Sequence, residues 1–594
     1  MVFPGFTTEE PVPAERAMCG VNVADRLSAI AEQMPTEIAV ALPGHGDMAG
    51  KNCYTTCTFA ELEHDTSALA RGLVDLGVTP GTRLVLLVKP GVEFVKLVFA
   101  LLRSGATTIL IDPGMGKKHL VECLALTEPA GFVAISIAQA VRTLFRTRFP
   151  QATLNVTVGR RWFWGGPTYR QLLAQGSHSQ SRLPKLQASD PAAIIFTSGS
   201  TGPPKGVLYS HQMFETQVAE IQREYDLQPG GADLACFALF GLFNSAMGVT
   251  TVFPEMDFAR PATADPQMLL TAAHDWQVTQ AFASPAVWDR LSRYCQAEGE
   301  LIPTLRKVFS CGAPVPAEVL QRTLDCVAAG AQMHTPYGAT ESLPVATIEA
   351  SEVLTETADQ TARGAGVCVG RKFPTIEWRV IRISDEPIAQ LDDCEELPVG
   401  EIGELIVRGP QVSREYLGAG GWGLGNIAEQ DTLSKIADKR AGASSPPADI
   451  WHRMGDVGYL DAEGRFWYCG RKNHRVETQA GTLFTECVEG VFNEHPRVRR
   501  AALVGVGESG RSRPGVIIEP SPEMIEKHGT NFESTPYLEL KTQLGTLAGR
   551  NQVTSKVKDF LFRASLPVDV RHNSKINREE LARWASRELR VLKS

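Results

Sequence analysis

The sequence has no long hydrophobic run. Its longest apolar segments, around Leu84 to Val88 and Phe94 to Leu102, fall far short of the roughly 20 residues that a membrane-spanning helix needs. The amino terminus carries Glu9, Glu10 and Glu15 and lacks the apolar core of a secretion signal. We therefore expect a chain without a membrane span, located in the cytoplasm.

Two further patterns that define large protein classes are missing. The 12 cysteines show no paired C-x-x-C spacing, which argues against a zinc site and favours reduced thiols over a disulfide framework. There is no basic tail, and the formal net charge is −8. Nucleic acid is therefore not expected as the main partner.

The sequence does have length and an ordinary globular composition. Its 594 residues exceed what one core normally organises, so two or more domains are expected. The 43% hydrophobic and 21% charged residues are typical of a folded, water-soluble chain. These numbers fit a large enzyme.

The most informative stretch runs from residue 192 to 211. A short apolar run, Ala192 to Phe196, predicts a buried strand, and a loop rich in Gly, Ser, Thr and Pro follows directly. Glycines let such a loop point several N–H groups at an anion, while hydroxyls and an ammonium add donors. The loop therefore predicts a polyphosphate site. Its glycines and donors are Thr197, Ser198, Gly199, Ser200, Thr201, Gly202, Lys205 and Gly206.

Two other interpretations apply to a glycine-rich loop. A lone G-S-T-G also fits a flexible surface connection. A Walker A motif needs four residues between its glycines and then Gly-Lys-Ser/Thr, whereas Gly199 and Gly202 are too close and Gly206 follows Lys205. The full string TSGSTGPPKGV instead resembles the phosphate loop of the adenylate-forming superfamily, which includes acyl-CoA synthetases, luciferases and peptide-synthetase adenylation domains.

Four more segments match this superfamily in the expected order, and the resemblance runs from Asn22 to the end of the chain. They are SCGAPVP (310–316), TPYGATE (335–341), RMGDVGYLDAEGRFWYCGRK (453–472) and PVDVRHNSKINREEL (567–581). The resemblance implies an α/β fold. Residues 1–470 would form a large domain of layered sheets with flanking helices and a distorted β-barrel. Residues 471–594 would form a small mobile α+β domain.

The residue pattern itself indicates a similar organisation. From Arg83 onward, strand-like and helix-like segments alternate, which is typical of a parallel sheet with crossover helices. Residues 417–447 hold many Gly, Ser and Ala and few large apolar side chains, so we interpret them as an exposed insertion or mobile loop. Helices are predicted at 22–34, 58–77, 91–103, 485–493 and 537–548, and strands at 84–88 and 107–111.

The resemblance assigns roles in ATP binding and catalysis to the matching residues. It implies that Thr340 bonds the α-phosphate, that Glu341 holds Mg²⁺ between phosphate oxygens, and that Lys575 is the catalytic lysine. A turn would lie against the base, an aromatic ring would stack on adenine, and a carboxylate would accept both ribose hydroxyls. The nucleotide contacts would be Gly312, Ala313, Pro314, Tyr337, Gly338, Asp456 and Arg471.

Together these residues imply that a carboxylate and MgATP react to give an acyl-adenylate and pyrophosphate. The enzyme would act mainly by positioning groups and balancing charge, because AMP is a far better leaving group than oxide. Taken singly, the turns and the lysine also fit structural turns and a solvated surface residue. The assignment therefore depends on the combined pattern.

Several longer strings are similar to one branch of the superfamily, the β-lactone synthetases of bacterial long-chain olefin biosynthesis. They include VTVGRRWFWGG (156–166), PEMDFARPATADP (254–266) and LPVDVRHNSKINREELARWA (566–585). This resemblance implies a substrate with long alkyl chains, a 2-alkyl-3-hydroxyalkanoic acid. Its own β-hydroxyl would attack the activated carbonyl, close a β-lactone and release AMP. Thiolase, reductase and β-lactone decarboxylase partners are implied as well.

An acyl-CoA or acyl-AMP ligase for long-chain fatty acids is the main alternative. Thioester-forming relatives usually have an Asp where Asn473 stands and a His where Gly241 stands, so CoA use is not expected. A non-enzymatic nucleotide sensor is a third interpretation. The base for the β-hydroxyl stays open among His211, His334, His452, His474 and His572, and an apolar acyl pocket would draw on Phe237, Leu239, Phe240, Leu242, Phe243 and Met247.

Overall fold

Strands and helices alternate along most of the chain. The computed structural model describes residues 21–44, 53–111, 117–196, 205–237, 241–417, 427–439, 450–507, 510–568 and 576–591. The strands are β1 Ile38–Pro43, β2 Tyr54–Thr58, β3 Arg83–Leu87, β4 Thr107–Leu110, β5 Gly131–Ile135, β6 Val156–Val158, β7 Pro191–Phe196, β8 Gly206–Ser210, β9 Ala232–Ala235, β10 Thr250–Val252, β11 Gln280–Ala283, β12 Lys307–Ser310, β13 Gln332–His334, β14 Tyr337–Ala339, β15 Ser342–Thr347, β16 Val367–Cys368, β17 Arg371–Lys372, β18 Glu377–Ile381, β19 Gly403–Arg408, β20 Lys435–Ala437, β21 Ile450–Leu460, β22 Phe466–Arg471, β23 Val476–Thr478, β24 Gly481–Leu483, β25 Val498–Val506, β26 Arg513–Pro520 and β27 Asp559–Phe562.

Helices connect and flank these strands. None within the described residues is both long and apolar enough to cross a bilayer. They are α1 Val23–Gln33, α2 Phe59–Asp75, α3 Val92–Ser104, α4 Lys117–Leu126, α5 Ser136–Leu144, α6 Tyr169–His178, α7 His211–Glu224, α8 Asn244–Met247, α9 Pro266–Asp275, α10 Pro285–Glu298, α11 Ala317–Asp325, α12 Ala350–Glu352, α13 Ala358–Ala362, α14 Ile427–Ser434, α15 Thr485–Asn493, α16 Pro522–His528, α17 Thr535–Arg550 and α18 Arg578–Val591.

Two large sheets form the body of the chain. One has the strand order β6-β5-β3-β4-β7-β8 and is parallel except for the last pair. The other has the order β13-β12-β11-β9-β10-β1-β2 and is again parallel except for its last pair. Helices such as α3, whose side chains are almost all buried, pack into the shared core. This arrangement confirms the predicted parallel sheets with crossover helices.

An antiparallel sheet lies beside the two large ones. Its order is β16-β22-β21-β19-β18, with β20 paired to β21. Within the described residues its edges stay open, so the expected distorted β-barrel is not present as a closed sheet. A smaller antiparallel sheet, β14-β15-β17, carries the TPYGATE segment on its first hairpin.

The carboxyl-terminal part contains a sheet of its own. Strand β26 pairs antiparallel with β25 and parallel with β27, and helices α15 and α17 pack on this sheet around Phe492, Tyr537 and Leu544. The hydrophobic cluster there is separate from the main core. An α+β unit was expected in this region, and the proposed boundary between residues 470 and 471 stays a prediction.

Local sequence signals located several helix ends well. The side chain of Asn22 accepts from the Ala24 N–H, so the predicted first helix begins at Val23. Thr58 and Glu61 form a reciprocal capping box at the start of α2. Helix α15 covers Thr485–Asn493 as predicted.

The interpretation of residues 417–447 as an insertion or mobile loop was wrong for its described part. Residues 427–434 form α14, and 435–437 form β20, which pairs with β21. Ile436 is completely buried in a cluster with Trp451. The low content of large apolar residues did not indicate this element, because one buried isoleucine and a short strand pairing are enough to stabilise it.

Candidate active site

One cleft collects the predicted site residues that the structure describes. It has a volume of about 2580 Å³, and its walls come from the large sheets, the antiparallel sheet and the carboxyl-terminal part. Thr485 and Arg578 contribute from that last part. The predicted residues along it are Lys205, Gly312, Ala313, Pro314, Tyr337, Gly338, Thr340, Glu341, Asp456 and Arg471.

Asp456, Arg471 and Tyr337 form a connected group on one side of the cleft. Asp456 and Arg471 are cross-strand partners in β21 and β22, and an ion pair joins Asp456 Oδ1 to Arg471 Nη1 at 2.9 Å. The Tyr337 hydroxyl donates to Asp456 Oδ2 at 2.5 Å. We call these three residues the ribose-side group.

Asp456 keeps an acceptor for a ligand. Its Oδ1 is buried and accepts no well-aligned hydrogen bond from the described residues, although Arg471 lies close. Burial raises the pKa of Asp456, while Arg471 and the Tyr337 hydroxyl oppose that shift. The negative charge of Asp456 in turn raises the pKa of Arg471, so the pair is held in its ionised form. A buried carboxylate of this kind can accept hydroxyl groups side by side.

The turns predicted to lie against the base border the same space. Gly312 lies two residues after the end of β12 and has a φ of +96°, a left-handed conformation that favours glycine. At Gly338 a side chain would meet the Ser342 carbonyl oxygen at 2.7 Å, so only glycine allows this close approach in the β14–β15 hairpin. The local backbone structure therefore favours glycine at both positions, and both residues also line the cleft.

Glu341 lies in the turn between β14 and β15. The Tyr416 hydroxyl donates to Glu341 Oε1 at 2.7 Å, and the Ser413 N–H donates to the Glu341 carbonyl oxygen at 2.7 Å. The neighbouring Thr340 carbonyl oxygen accepts from the buried Tyr209 hydroxyl at 2.5 Å. These bonds hold the turn, with the Thr340 and Glu341 side chains at the cleft.

Two lysines approach Tyr416 and carry positive charge to Glu341. Lys205 Nζ lies 4.9 Å and Lys435 Nζ 5.4 Å from the centre of the Tyr416 ring. Lys435 also donates to the Ser413 carbonyl oxygen. Burial lowers the pKa of both lysines, that of Lys435 to about 8, and the charge of Glu341 opposes the shift. We call Lys205, Glu341, Tyr416 and Lys435 the phosphate-side group.

The sequence analysis missed Tyr416 and Lys435. Tyr416 follows β19 after a short turn, and Lys435 opens β20 within the segment interpreted as an insertion. No short motif contains these two residues, so the sequence gives only a weak indication that they belong to the site. The one available hint was Lys435-Ile436 inside a polar stretch, since a lone isoleucine there suggests a buried strand.

Seven predicted site residues lie outside the described residues. These are Thr197, Ser198, Gly199, Ser200, Thr201 and Gly202 of the phosphate loop, and Lys575. Strand β7 ends at Phe196 and β8 begins at Gly206, so the ends of the loop lie beside the cleft, where Phe196 and Lys205 contribute to the wall. The roles of these seven residues stay predictions.

The residues near Glu341 fit a magnesium ion that is carried mainly by phosphate. Within the described residues, no group of three or more His, Cys, Asp or Glu could hold a metal ion by itself. Glu341 Oε2 accepts no hydrogen bond from that part of the chain, so one carboxylate oxygen is available. Mg²⁺ commonly uses one or two carboxylates plus substrate phosphates and water.

The described candidate histidines are poor bases. Burial lowers the pKa of His211 and His334 to about 4, that of His474 to about 3, and that of His452 well below its usual value. All four are therefore neutral at pH 7 but weakly basic. His572 lies outside the described residues. The base for a substrate hydroxyl stays unassigned.

An apolar branch of the cleft reaches between the two large sheets. Phe237, Leu242 and Phe243 line the cleft as predicted for an acyl pocket, and Leu239 and Phe240 lie outside the described residues. Met247 is buried in the core instead. Unpredicted apolar lining comes from α3 and from strands β3, β4 and β7 of one large sheet, with Leu86, Phe94, Val98, Leu102, Leu110 and Ile195.

The AMP-binding enzyme family model matches residues 28–417. Olefin beta-lactone synthetase from Xanthomonas campestris pv. campestris is 42% identical over 96% of this chain and 98% of its own. The protein of the same name from Stenotrophomonas maltophilia is 41% identical over the same shares.

Solved structures share the fold at low sequence identity. The amide bond synthetase McbA from Marinactinospora thermotolerans matches with a TM-score of 0.71 at 20% identity, over 95% of this chain and 99% of that one. The anthranilate CoA ligase AuaEII in complex with anthranoyl-AMP matches with a TM-score of 0.73 at 17% identity, over 96% and 98%. Given the family match and the two relatives over nearly the full length, this chain belongs to the AMP-binding enzyme family.

Proposed function

We propose that this enzyme is an ATP-dependent β-lactone synthetase that acts on a 2-alkyl-3-hydroxyalkanoic acid. One observation carries the proposal. The ribose-side group and three phosphate-side residues, Lys205, Glu341 and Tyr416, line one cleft of a chain that is similar, over 96% of its length, to two olefin beta-lactone synthetases. The first step joins the substrate carboxylate to AMP and releases pyrophosphate.

The ribose-side group would bind the nucleoside. Asp456 would accept the ribose hydroxyls, Arg471 would pair with that carboxylate, and Tyr337 would face the adenine. Gly312 to Pro314 would border the base. This arrangement would bring the α-phosphate near Thr340 and Glu341.

The phosphate-side group would stabilise the charge that moves onto pyrophosphate. Lys205 and Lys435 place two ammonium groups around the Tyr416 ring, beside Glu341 and next to the end of the phosphate loop. Positive groups fixed in a partly buried site favour a transition state in which negative charge develops on the leaving group. The six loop residues and Lys575 would complete this environment.

Glu341 would hold Mg²⁺ together with phosphate oxygens. When bound, the ion supplies charge neutralisation and orients the phosphates. The Tyr416 hydroxyl on Oε1 would fix the carboxylate so that its other oxygen faces the ligand.

The second step would need no further substrate. The β-hydroxyl oxygen attacks the acyl carbon, its proton is lost, and the bond from that carbon to AMP oxygen breaks, which leaves a four-membered lactone. A well-oriented internal nucleophile reaches an effective concentration on the order of 10⁵ M or more. The apolar lining from Phe94, Val98 and Leu102, together with Phe237, Leu242 and Phe243, supports space for two long alkyl chains.

The proposed product suggests which enzymes act before and after this one in the same pathway. We propose that enzymes that build a branched β-hydroxy acid, a thiolase and a reductase, act before this one. A decarboxylase that removes CO₂ from the lactone would act after it to leave an alkene. Physical assembly with these partners is part of the proposal.

The decisive test compares two acids in one assay. The purified chain receives ATP, Mg²⁺ and either a 2-alkyl-3-hydroxy acid or the matching acid without the hydroxyl, each with and without CoA, and products are identified by mass spectrometry. We expect AMP, pyrophosphate and a β-lactone from the hydroxy acid without CoA. A thioester from both acids that requires CoA would instead establish the long-chain acyl-CoA ligase.

A further inference from the structure

Exposed large hydrophobic side chains are concentrated on one small part of the surface. Of the eleven that the described residues expose, six lie between residues 137 and 163. Leu144 and Phe163 are each 77% exposed, Ile137 is 66% and Trp162 is 53%. Contiguous apolar patches of this kind are rare on a monomer and mark interaction sites. We call Ile137, Val141, Leu144, Phe145, Trp162 and Phe163 the apolar patch.

The patch is built by a helix and a loop that touch. In α5, Ile137, Val141 and Leu144 are spaced four and three residues apart, so they share the outward face. The Ser136 hydroxyl at the start of α5 donates to the Arg160 carbonyl oxygen at 2.5 Å, which ties the loop to the helix. The loop thus lies beside the amino-terminal end of α5.

A buried anchor holds the loop aromatics outward. Trp164 is buried, and its indole N–H donates to Thr157 Oγ1 at 2.8 Å. Trp162 and Phe163 pack on this ring with centroid distances of 5.4 and 5.2 Å. Their exposure is therefore a fixed feature of the loop and needs no further rearrangement.

The charge around the patch has a single sign. The chain has a net charge of −8, yet no Asp or Glu occurs between Glu128 and Asp190, a stretch that carries eight Arg and Lys residues. Arg146, Arg148 and Arg161 are exposed, and no ion pair to them is found in the described part of the chain. An apolar centre flanked by exposed arginines, on a stretch without carboxylates, complements a negative surface.

We propose that the apolar patch and its arginines dock the enzyme on an anionic lipid bilayer. Exposed Trp, Phe and Leu side chains beside Arg side chains are typical of segments that lie in the membrane interface. A protein partner usually presents both signs of charge, whereas the absence of any carboxylate in this stretch matches phospholipid headgroups. Binding to lipid does not depend on the proposed reaction.

The position of α5 gives this docking a consequence. Ile135 and Ala138, at the start of the helix, line the cleft, while Ile137 and Leu144 face outward. The element that would contact the bilayer therefore also forms part of the wall of the apolar cavity. A water-insoluble acid could pass from lipid to the cleft over a short distance.

Flotation with vesicles tests the proposal directly. The full chain is mixed with vesicles of phosphatidylcholine alone or with phosphatidylglycerol added, and the bound fraction is measured after density centrifugation. We expect binding to the anionic vesicles only, weakened at high salt because the arginine contribution is screened. The double variants Leu144→Asp/Phe163→Asp and Arg146→Glu/Arg148→Glu should each lower partitioning by about tenfold or more.

Matched controls separate the patch from general surface effects. Val399 is 64% exposed elsewhere, and Arg290 is also exposed, so Val399→Asp and Arg290→Glu should bind like the wild type. Circular dichroism and thermal melting confirm that the variants fold. Equal binding by the patch variants, or no binding of the wild type to anionic vesicles, would overturn the proposal; the latter would point to a protein partner or a second copy of the chain.

Failure of this experiment can be told apart from failure of the proposed function. Turnover of a short, water-soluble hydroxy acid in the absence of lipid reports on the reaction alone. Vesicle binding without substrate reports on docking alone. If docking supports catalysis, the Leu144→Asp/Phe163→Asp variant keeps the rate with the short acid and loses rate only with a long-chain acid presented in anionic vesicles.

Discussion

On the ribose side of the cleft, Asp456 and Arg471 are direct cross-strand partners, and both belong to one continuous segment of sequence. On the phosphate side, Glu341, Tyr416 and Lys435 come from three separate segments that meet only in the folded chain. Asp456 and Arg471 are thus close in sequence, with Tyr337 added from a distant segment, whereas the phosphate-side group draws on more separate segments. Short motifs therefore indicate the nucleoside site but describe the phosphate site incompletely.

The two groups also handle charge differently. The ribose side balances one carboxylate with one guanidinium at 2.9 Å. The phosphate side sets two ammonium groups near Glu341 and Asp431, and burial lowers the pKa of both lysines. The burial of these ammonium groups, which is costly without a ligand, becomes favourable when a polyphosphate enters. The comparison predicts that the ribose side governs recognition and the phosphate side governs rate.

The largest effect should come from Lys575→Ala, which tests whether a residue of the carboxyl-terminal part completes the phosphate side. Loss of one transition-state cation should lower acyl-adenylate formation by a factor on the order of 10² to 10³. ATP binding, measured by calorimetry, should stay nearly unchanged. The exposed Lys558→Ala serves as a control. Wild-type rates of pyrophosphate release in Lys575→Ala would contradict the role.

Lys435→Met should have the next largest effect and addresses the comparison most directly. Removing one ammonium beside Tyr416 should slow ATP–pyrophosphate exchange by about tenfold to a hundredfold, because a charge-assisted contact is lost. Lys435→Arg should restore part of the rate, and the exposed Lys439→Met should have none of these effects. If Lys435→Met changed only the KM for ATP, the division between rate and recognition would be wrong.

Asp456→Asn should act on recognition. An amide is a weaker acceptor than a carboxylate, so the KM for ATP should rise by about tenfold with a smaller change in kcat. The preference of the wild type for ATP over 2′-deoxy-ATP should shrink in the variant, because the missing hydroxyl no longer matters. Unchanged discrimination between the two nucleotides would remove Asp456 from the ribose contact.

The smallest effect concerns the pH dependence of folding stability, which should change for the ribose side and the phosphate side of the cleft together. His211 is fully buried, neither ring nitrogen has a hydrogen-bond partner among the described residues, and burial lowers its pKa to about 4. The unfolded chain therefore binds a proton more readily below pH 6.5, and stability falls as the pH drops from 6.5 toward 4.

Between pH 7.5 and 5.5 this histidine should cost about 1 kcal/mol of unfolding free energy. Denaturant titration of the wild type and of His211→Asn at the two pH values measures the difference. The variant should show the shallower pH dependence, whereas exposed His178→Asn should match the wild type. Parallel slopes for all three chains would show that His211 does not report on acid unfolding.

Much of the fold could be predicted because its signals are local. Asn22 and the Thr58–Glu61 capping box define helix starts within a few residues, and the alternation after Arg83 indicates parallel strands. The segment around Lys435 could not be predicted in this way. Its strand is only three residues long and depends on pairing with β21, a partner that local pattern does not identify.

The site followed the same division. Tyr337, Asp456 and Arg471 could be named because each belongs to a recognisable motif, although Tyr337 meets Asp456 only in the folded chain. Tyr416 and Lys435 could not, because no short motif contains them and Tyr416 contacts Glu341 and Lys205 only in the folded chain. Convergence of this kind is a tertiary property, and only the structure reports it.

The most direct test of the central claim follows oxygen from the substrate carboxylate. The hydroxy acid is prepared with both carboxylate oxygens as ¹⁸O and is turned over with ATP and Mg²⁺ without CoA. We expect one labelled oxygen in AMP and one in the lactone carbonyl, because the carboxylate attacks the α-phosphate and the hydroxyl later displaces AMP. Unlabelled AMP, with both heavy oxygens retained in the organic product, would show that no acyl-adenylate forms.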